Sequence, residues 1–173
     1  MSLCIALACE DALTAPRIVA AGPVVTTDRD VYALQTFTTA GIQYFHATGS
    51  ATFHNVTDRT VYLPRACVPA PATVWLQRDD GTRVGLIDDA TCAYLVLYGS
   101  DPKAIPVLAG DSLVQSFELF AGMHAPATDA QISGITGSVH LLFDVSATPT
   151  GHAAVPGLDS AMSHSSVIVI TAQ

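Results

Sequence analysis

The chain is poor in basic residues and has no long apolar run. One lysine, Lys103, and six arginines stand against 15 acidic residues, which gives a formal net charge of −8. An acidic protein without a basic stripe is a poor partner for nucleic acid or for an anionic lipid surface. No segment approaches the roughly 18–20 consecutive apolar residues that a membrane-spanning helix needs. The sequence therefore argues against a nucleic-acid-binding protein, and any membrane attachment would be through an acyl chain.

Charged residues of both signs are scarce, and no long amphipathic helix is evident. Only 13% of the residues are charged and 50% are apolar, a composition too hydrophobic for intrinsic disorder. A chain of 173 residues suits one domain with its own core. Short alternating segments separated by Gly, Pro and Asp predict an all-β fold rather than repeated βαβ units. We expect a single domain over residues 26–173 that is a sandwich or a barrel.

The strand-like segments follow one another along this domain. Val74 and Leu76 alternate with Trp75 and Gln77, as in a strand with one buried face. The following Asp79-Asp80-Gly81 is the clearest hairpin turn, because glycine readily takes the positive φ that the turn requires. Loops are expected at 122–137 and 146–163. The predicted strands are 31–38, 42–47, 51–56, 61–64, 73–78, 82–87, 94–98, 105–108, 112–120, 138–145 and 166–171.

The N-terminal stretch 1–9 resembles the end of a bacterial lipoprotein signal. It is apolar and has a small residue, Ala8, before Cys9. It lacks a basic segment and is short for a complete signal peptide, which indicates a truncated signal. The resemblance implies that Cys9 is lipidated and that residues 10–25 form a linker or a first edge strand. The alternative is an ordinary N-terminus with incidental cysteines.

Two mid-chain cysteines, Cys67 and Cys92, are the clearest chemical pair. In an oxidising compartment two cysteines of one small domain most often form a disulfide. Closing the loop between them would stabilise the fold by roughly 3–4 kcal/mol on the chain-entropy model. Free core thiols and redox chemistry are the alternatives. No Cys-x-x-Cys motif is present, and neither cysteine has a second ligand at metal spacing.

One part of the chain resembles Ig-like domains of bacterial envelope proteins. The segment 55–67, Asn-Val-Thr-Asp-Arg-Thr-Val-Tyr-Leu-Pro-Arg-Ala-Cys, looks like their strand, turn and strand, and 108–112, Leu-Ala-Gly-Asp-Ser, looks like the turn before an outer strand. The order of elements over 51–145 is similar to that of BsuPI-type proteinase inhibitor domains, although Ala109 stands where those domains have proline. The resemblance implies a single Ig-like antiparallel β-sandwich with Greek-key connections over residues 26–173 and, as an alternative function, proteinase inhibition. Asn55-Val-Thr57 also matches a glycosylation sequon, and the start of a turn is the simpler interpretation.

Histidines are the main candidates for a metal site. Zinc or copper needs three or four ligands that converge in space. His46 and His54 would meet if a hairpin joined their strands, and His124 lies beside Met123. These three histidines are the first to test. The other histidines are not spaced like the ligands of a metal-binding motif. We therefore predict no metal and no cofactor.

Gly110-Asp-Ser-Leu113 spells the nucleophile motif of the GDSL hydrolases. In that family the motif lies near the N-terminus of an α/β domain, and the histidine follows in a late Asp-x-x-His. Here the motif lies past mid-chain, a strand-like segment follows it, and no Asp-x-x-His is present. We therefore expect Gly110 and Asp111 to form a turn, Ser112 to begin a strand, and the protein not to be an enzyme.

Together these features predict a non-catalytic bacterial protein of the periplasm or cell surface, exported or lipid-anchored. It would bind another envelope protein through a sheet edge or through one of the two long loops. One alternative is a proteinase-inhibitor-like domain that presents a loop to an enzyme cleft. A second alternative is a small metal-binding or hydrolytic envelope protein that uses a histidine or Ser112.

Overall fold

The structure is a computed structural model, and over the residues that it describes the protein is all-β. It describes residues 16, 18–19, 24–40, 42–65, 72–86, 104–121, 135–150, 155, 158, 165 and 167–172. Ten strands and no helix lie within these ranges, so none of the described segments is a helix fit to cross a membrane. The strands are β1 (Val25–Thr27), β2 (Val31–Thr39), β3 (Ile42–His54), β4 (Val61–Leu63), β5 (Val74–Gln77), β6 (Arg83–Leu86), β7 (Ile105–Val107), β8 (Ser112–Ala121), β9 (Gly137–Phe143) and β10 (Ile168–Ala172).

Strand positions agree closely with the sequence prediction. Each predicted strand within the described residues is present, with ends displaced by no more than two residues. The predicted strand 94–98 lies outside them. One prediction is wrong: 42–47 and 51–56 are not two strands but parts of the continuous β3. The predicted Asp79-Asp80-Gly81 turn is confirmed, with Gly81 at φ 84° and β5 and β6 paired on either side of it.

Eight strands form one mixed sheet, and β4 and β7 form a small second sheet. Seven strands follow in the order β1-β3-β2-β10-β9-β5-β6, and β8 pairs with the opposite edge of β3. β2 divides its pairing: its first four residues pair with β10 and its last five with β3. The β10–β2 pair is parallel, so the expectation of a wholly antiparallel sheet is wrong there. Divided pairing is a tertiary feature that strand patterning cannot predict.

Two groups of strands in this sheet pack against each other. The β3 region consists of β1, β3 and β8, and the β5 region consists of β5, β6 and β9. Their inner faces meet at Phe53 of β3 and Phe143 of β9, whose ring centroids lie 5.9 Å apart. One cluster of buried residues runs through both regions. Its largest fully buried side chains include Tyr32, Phe53, Phe117, Phe143, Leu34, Leu63, Leu76 and Leu141.

Gly49 allows β3 to continue beneath two aromatic rings. Phe117 is its cross-strand partner in β8, and Tyr32 of β2 approaches it from the other side. The two rings meet edge to face with centroids 5.3 Å apart. A Cβ at Gly49 would lie 2.3 Å from Tyr32 Cε1 and 2.6 Å from Phe117 Cζ. Glycine in a strand often marks such a close approach, which explains why the expected break in β3 is absent.

Asn55, the residue after β3, holds the turn that leads into β8. Its side chain is 3% exposed, and its Nδ2 donates to Val107 O at 2.9 Å and to Leu108 O at 3.0 Å. Its Oδ1 accepts from the backbone amide of Thr57 at 3.0 Å, which closes a separate turn at 55–57, where the sequence predicts the start of a turn. The carboxamide is thus buried and hydrogen-bonded on both sides. This bonding positions the start of β8 beside the end of β3.

Candidate functional site

A row of three polar side chains crosses the outer face of the β3 region. His54 Nδ1 lies 2.8 Å from Ser112 Oγ, and His54 Nε2 lies 3.1 Å from Thr26 Oγ1. Each residue comes from a different strand: Thr26 from β1, His54 from β3 and Ser112 from β8. The contact between His54 and Ser112 is solvent-exposed. The imidazole therefore bridges two hydroxyl groups, one at each ring nitrogen.

Strand register explains why these side chains meet. His54 and Ser112 are directly opposite residues in the β3–β8 ladder. Asn55 N donates to Asp111 O at 2.9 Å, so the neighbouring pair is hydrogen-bonded and the His54–Ser112 pair is of the non-hydrogen-bonded kind. Side chains of such pairs are the closer ones in an antiparallel ladder. Thr26 pairs with Thr52 and so lies diagonal to His54, within reach of the ring.

The same alternation determines where the backbone groups of β8 point. If Asp111 bonds to β3, then Ser112, Val114 and Glu118 direct their N–H and C=O groups away from β3. Among the described residues no strand pairs with this second edge of β8. Val114 is 67% exposed, and the Ser112 and Glu118 side chains are exposed as well. This part of the sheet thus presents a strand edge to solvent.

Gln115 partly covers the edge near its middle. Its Nε2 donates to Ser116 O at 2.9 Å, and its Oε1 accepts from Ala72 N at 3.0 Å. The side chain therefore occupies one outward carbonyl of β8 and ties the strand to the segment before β5. Natural proteins often limit pairing at sheet edges with such local features. The outward groups of Ser112 and Val114 lie on the far side of this tie.

Asp28 fastens the turn between β1 and β2 to β3. Its Oδ1 accepts from Ser50 N and from Tyr32 Oη, each at 2.7 Å, and its carboxylate pairs with Arg29 at 2.9 Å. Burial acts to raise the pKa of Asp28, but the hydrogen bonds from Ser50, Tyr32 and Arg29 outweigh burial and hold the pKa below its ordinary value. Burial, together with the bond to Asp28, raises the pKa of Tyr32. Asp28 is therefore a structural anion rather than a proton-transfer group.

The outer face of the β5 region carries a second polar cluster, made of charged groups. Trp75 Nε1 donates to Asp144 Oδ2 at 2.8 Å, and Arg83 pairs with Asp144 Oδ1 at 3.2 Å. The Arg83 guanidinium also lies 4.6 Å from the centroid of a Trp75 ring. These contacts hold β5, β6 and the residue after β9 together. The cluster explains Trp75 as a structural residue of this face.

His140 of β9 links the same face to two other elements. Its Nδ1 lies 2.8 Å from Ser165 O, and its Nε2 lies 3.0 Å from Asp79 Oδ1 in the β5–β6 turn. Asp80, the next residue in that turn, has a pKa lowered by the backbone hydrogen bond from Thr82. The paired aspartates thus serve the turn, as expected for such residues.

The structure does not bring His46 and His54 together, because no hairpin lies between them. Both lie on β3, where eight residues separate them by about 26 Å at the rise of a strand. His46 instead faces Glu118 of β8, with Nε2 and Oε2 3.9 Å apart. The described part of the chain contains no group of three or more His, Cys, Asp or Glu placed to hold a metal. His124 lies outside the described residues, as do Cys9, Cys67 and Cys92.

Sequence reasoning missed the partnership of His54 and Ser112. The expected turn and strand start at Ser112 are confirmed, with Gly110 at φ 75° and β8 beginning at Ser112. The Gly-Asp-Ser-Leu motif predicts a histidine downstream, in Asp-x-x-His, whereas the structure places His54, 58 residues upstream, beside Ser112. The only signal for this pairing would have been the register of β3 against β8.

Comparison of the chain with protein-family models, with curated proteins and with solved structures finds no match.

Proposed function

We propose that this protein is a binding module of the bacterial cell envelope that holds an extended segment of another protein along the edge of β8 that no described strand pairs with. The supporting observation is the outward row of backbone groups at Ser112, Val114 and Glu118. An extended segment can add to such an edge through main-chain hydrogen bonds, while alternate side chains provide specificity. The exposed side chain of Val114 offers the apolar contact.

The chemistry of the edge defines the segment that it would bind. Val114 and Glu118 lie on one face of β8, four residues apart. A matching strand would carry an apolar residue beside Val114 and a basic residue beside Glu118. The net charge of −8 favours a basic segment over an acidic one. A second copy of this chain, which carries the same charge, is disfavoured as the occupant.

Proline substitution on β8 tests the edge. Val114→Pro removes an N–H that points away from β3, so the β3–β8 ladder stays intact, as edge strands permit. The probe is a nine-residue peptide of alternating Thr and Val in which one Val is replaced by Lys. The Lys and a remaining Val then lie on the same face, four residues apart, like Glu118 and Val114 on β8. We expect Val114→Pro to weaken its binding at least about tenfold, as loss of roughly 1.4 kcal/mol implies. Fluorescence polarisation provides the measurement.

Two controls make this test specific. Val114→Thr keeps the outward N–H and should retain most of the affinity, and Glu in place of the peptide's Lys should weaken binding. Equal binding by Val114→Pro and the unaltered protein would contradict the proposal. A dimer in light scattering that Val114→Pro dissociates would instead identify a second copy as the occupant.

We further propose an Ig-like sandwich, a Cys67–Cys92 disulfide and a lipid anchor at Cys9. Packing of Phe53 against Phe143 across the two inner faces supports the sandwich. The disulfide is tested by thiol titration of protein made under oxidising conditions, where two free mid-chain thiols would contradict it. Palmitate incorporation and globomycin-sensitive processing, measured with the complete gene, test the anchor.

A further inference from the structure

We propose that Ser112 is an acylatable nucleophile activated by His54, and that the Thr26–His54–Ser112 row accepts acyl groups from small activated esters. The geometry is that of a nucleophile and its base: Ser112 Oγ lies 2.8 Å from His54 Nδ1, within the distance expected for such a pair. Ser112 is exposed at the first position of β8, so an ester can reach its hydroxyl. This inference does not depend on the proposed binding function.

Thr26 supplies the third contact. With the ring proton on Nε2, His54 donates to Thr26 Oγ1 at 3.1 Å, and Nδ1 is left to accept from the Ser112 hydroxyl. Which nitrogen carries the proton is set by the bond that the other nitrogen makes. Thr26 thus acts as a positioning residue, in the place that a carboxylate occupies in a Ser-His-Asp triad. A neutral partner orients the ring but gives an imidazolium less stabilisation than a carboxylate does.

The acyl transfer is complete with these residues and water. Ser112 Oγ attacks the carbonyl carbon of the ester, and its proton passes to His54 Nδ1. The ester C–O bond breaks, and the leaving alkoxide takes the proton from Nδ1, which gives acyl-Ser112 and a free alcohol. Water then attacks the acyl group with His54 as base, which releases the carboxylic acid and restores Ser112.

One backbone donor is placed to assist. The alternation along β8 points the Ser112 N–H away from β3, toward the edge of β8 that no described strand pairs with. A backbone N–H of the nucleophile is one of the donors that stabilise the oxyanion in serine hydrolases. With one such donor and an open face, the site fits small acyl groups on good leaving groups.

The test measures covalent labelling of the full chain by a fluorophosphonate and the release of nitrophenol from para-nitrophenyl acetate. We expect the fluorophosphonate adduct to map to Ser112 and to be absent from Ser112→Ala. His54→Gln keeps a hydrogen-bonding side chain but cannot take the proton, so it should slow labelling by about 10²-fold or more. Ser138, exposed on β9, serves as the reference serine, and Ser138→Ala should react like the unaltered protein.

Thr26 is tested by two substitutions. Thr26→Val removes the hydroxyl at nearly constant shape, so it should slow labelling several-fold and alter the pH profile of the labelling rate. Thr26→Ser keeps a hydroxyl and should leave both the rate and the profile close to those of the unaltered protein. Circular dichroism and thermal unfolding of each variant show that the fold is kept. Absence of labelling, equal labelling of Ser112 and Ser138, or a rate unchanged in His54→Gln would each overturn the proposal.

Discussion

The β3 and β5 regions share one core but expose different chemistry on their outer faces. In the β5 region, Asp144 joins the indole of Trp75 to the guanidinium of Arg83, so charged groups satisfy one another. In the β3 region, an imidazole bridges two neutral hydroxyls. The polar groups of the Asp144 cluster are therefore paired with one another, whereas the β3 face leaves the Ser112 hydroxyl and the adjacent His54 ring open to solvent.

The largest effect is expected where the β3 region is packed most tightly. Gly49→Ala places a Cβ within 2.6 Å of both the Tyr32 and Phe117 rings, so buried rings must move. We expect the free energy of unfolding to fall by about 3 kcal/mol, the upper range for overpacking. Urea denaturation measures it. In a background with both Tyr32→Leu and Phe117→Leu, which lacks both clashing ring atoms, the same change should cost clearly less; an equal cost would contradict the steric explanation.

Removing the shared acceptor of the β5 region should have a smaller effect. Asp144→Ala breaks the contacts with Trp75 and Arg83, which are half-buried or exposed. We expect a loss of about 1 kcal/mol, because exposed charge pairs contribute little. A double-mutant cycle with Arg83→Ala should give a coupling that shrinks as salt is added.

The corresponding change in the β3 region sharpens the contrast. Thr26→Val removes a neutral hydroxyl and no charged group, so its effect on stability should depend little on salt. Equal salt dependence of the two substitutions would remove the distinction between the charged Asp144 cluster and the Thr26–His54 contact.

Acid should weaken the anchor of the β3 region through Asp28. Because the folded-state pKa of Asp28 is lowered from 3.8, its ionised form stabilises the fold above the ordinary pKa. That contribution is lost as the pH falls below about 4 and through the folded pKa. Asp28→Asn should therefore be less stable than the unaltered protein near pH 6, and the difference should shrink toward pH 2. Denaturation curves across this range give the answer; a difference that grows with acid would contradict the sign.

The smallest effect is expected at the β2–β3 hairpin. Ala40 has φ 51°, in the left-handed region, between the paired residues Thr39 and Ile42. Ala40→Asn creates Asn-Gly, the sequence favoured in two-residue hairpin turns. We expect a gain of about 0.5 kcal/mol, from relief of the conformational cost that alanine bears at positive φ. Thermal unfolding should show a slight rise, and a loss of stability would contradict this account.

Local pattern predicted most of the strands, because burial of one strand face leaves a period of two in the sequence. Val74 and Leu76 are buried while Trp75 and Gln77 are not, as that pattern indicates. The error at β3 has a physical cause: Ala-Thr-Gly-Ser is a turn-like composition, and only the rings of Tyr32 and Phe117 make a glycine suitable there. Packing against Tyr32 and Phe117, which are distant in sequence, outweighs the tendency of this segment to form a turn.

The candidate site was less predictable than the fold. The turn and strand start at Ser112 follow from local residues, but the distance from His54 does not. A shift of one residue in the β3–β8 register would send these side chains to opposite faces. His46 and His54 stay apart for a similar reason, since both lie on the continuous β3, which is paired with β8 between them.

The amino-acid order by itself determined the net negative charge, the all-β class and the approximate positions of the described strands after β1, because those properties depend on composition and on residues close in the chain. Tertiary structure alone decided the parallel β10–β2 pair, the edge of β8 that no described strand pairs with, and the meeting of Thr26, His54 and Ser112. These three features arise from pairing between distant strands. Such pairing is selected by the packing of the whole core, and no short stretch of sequence contains it.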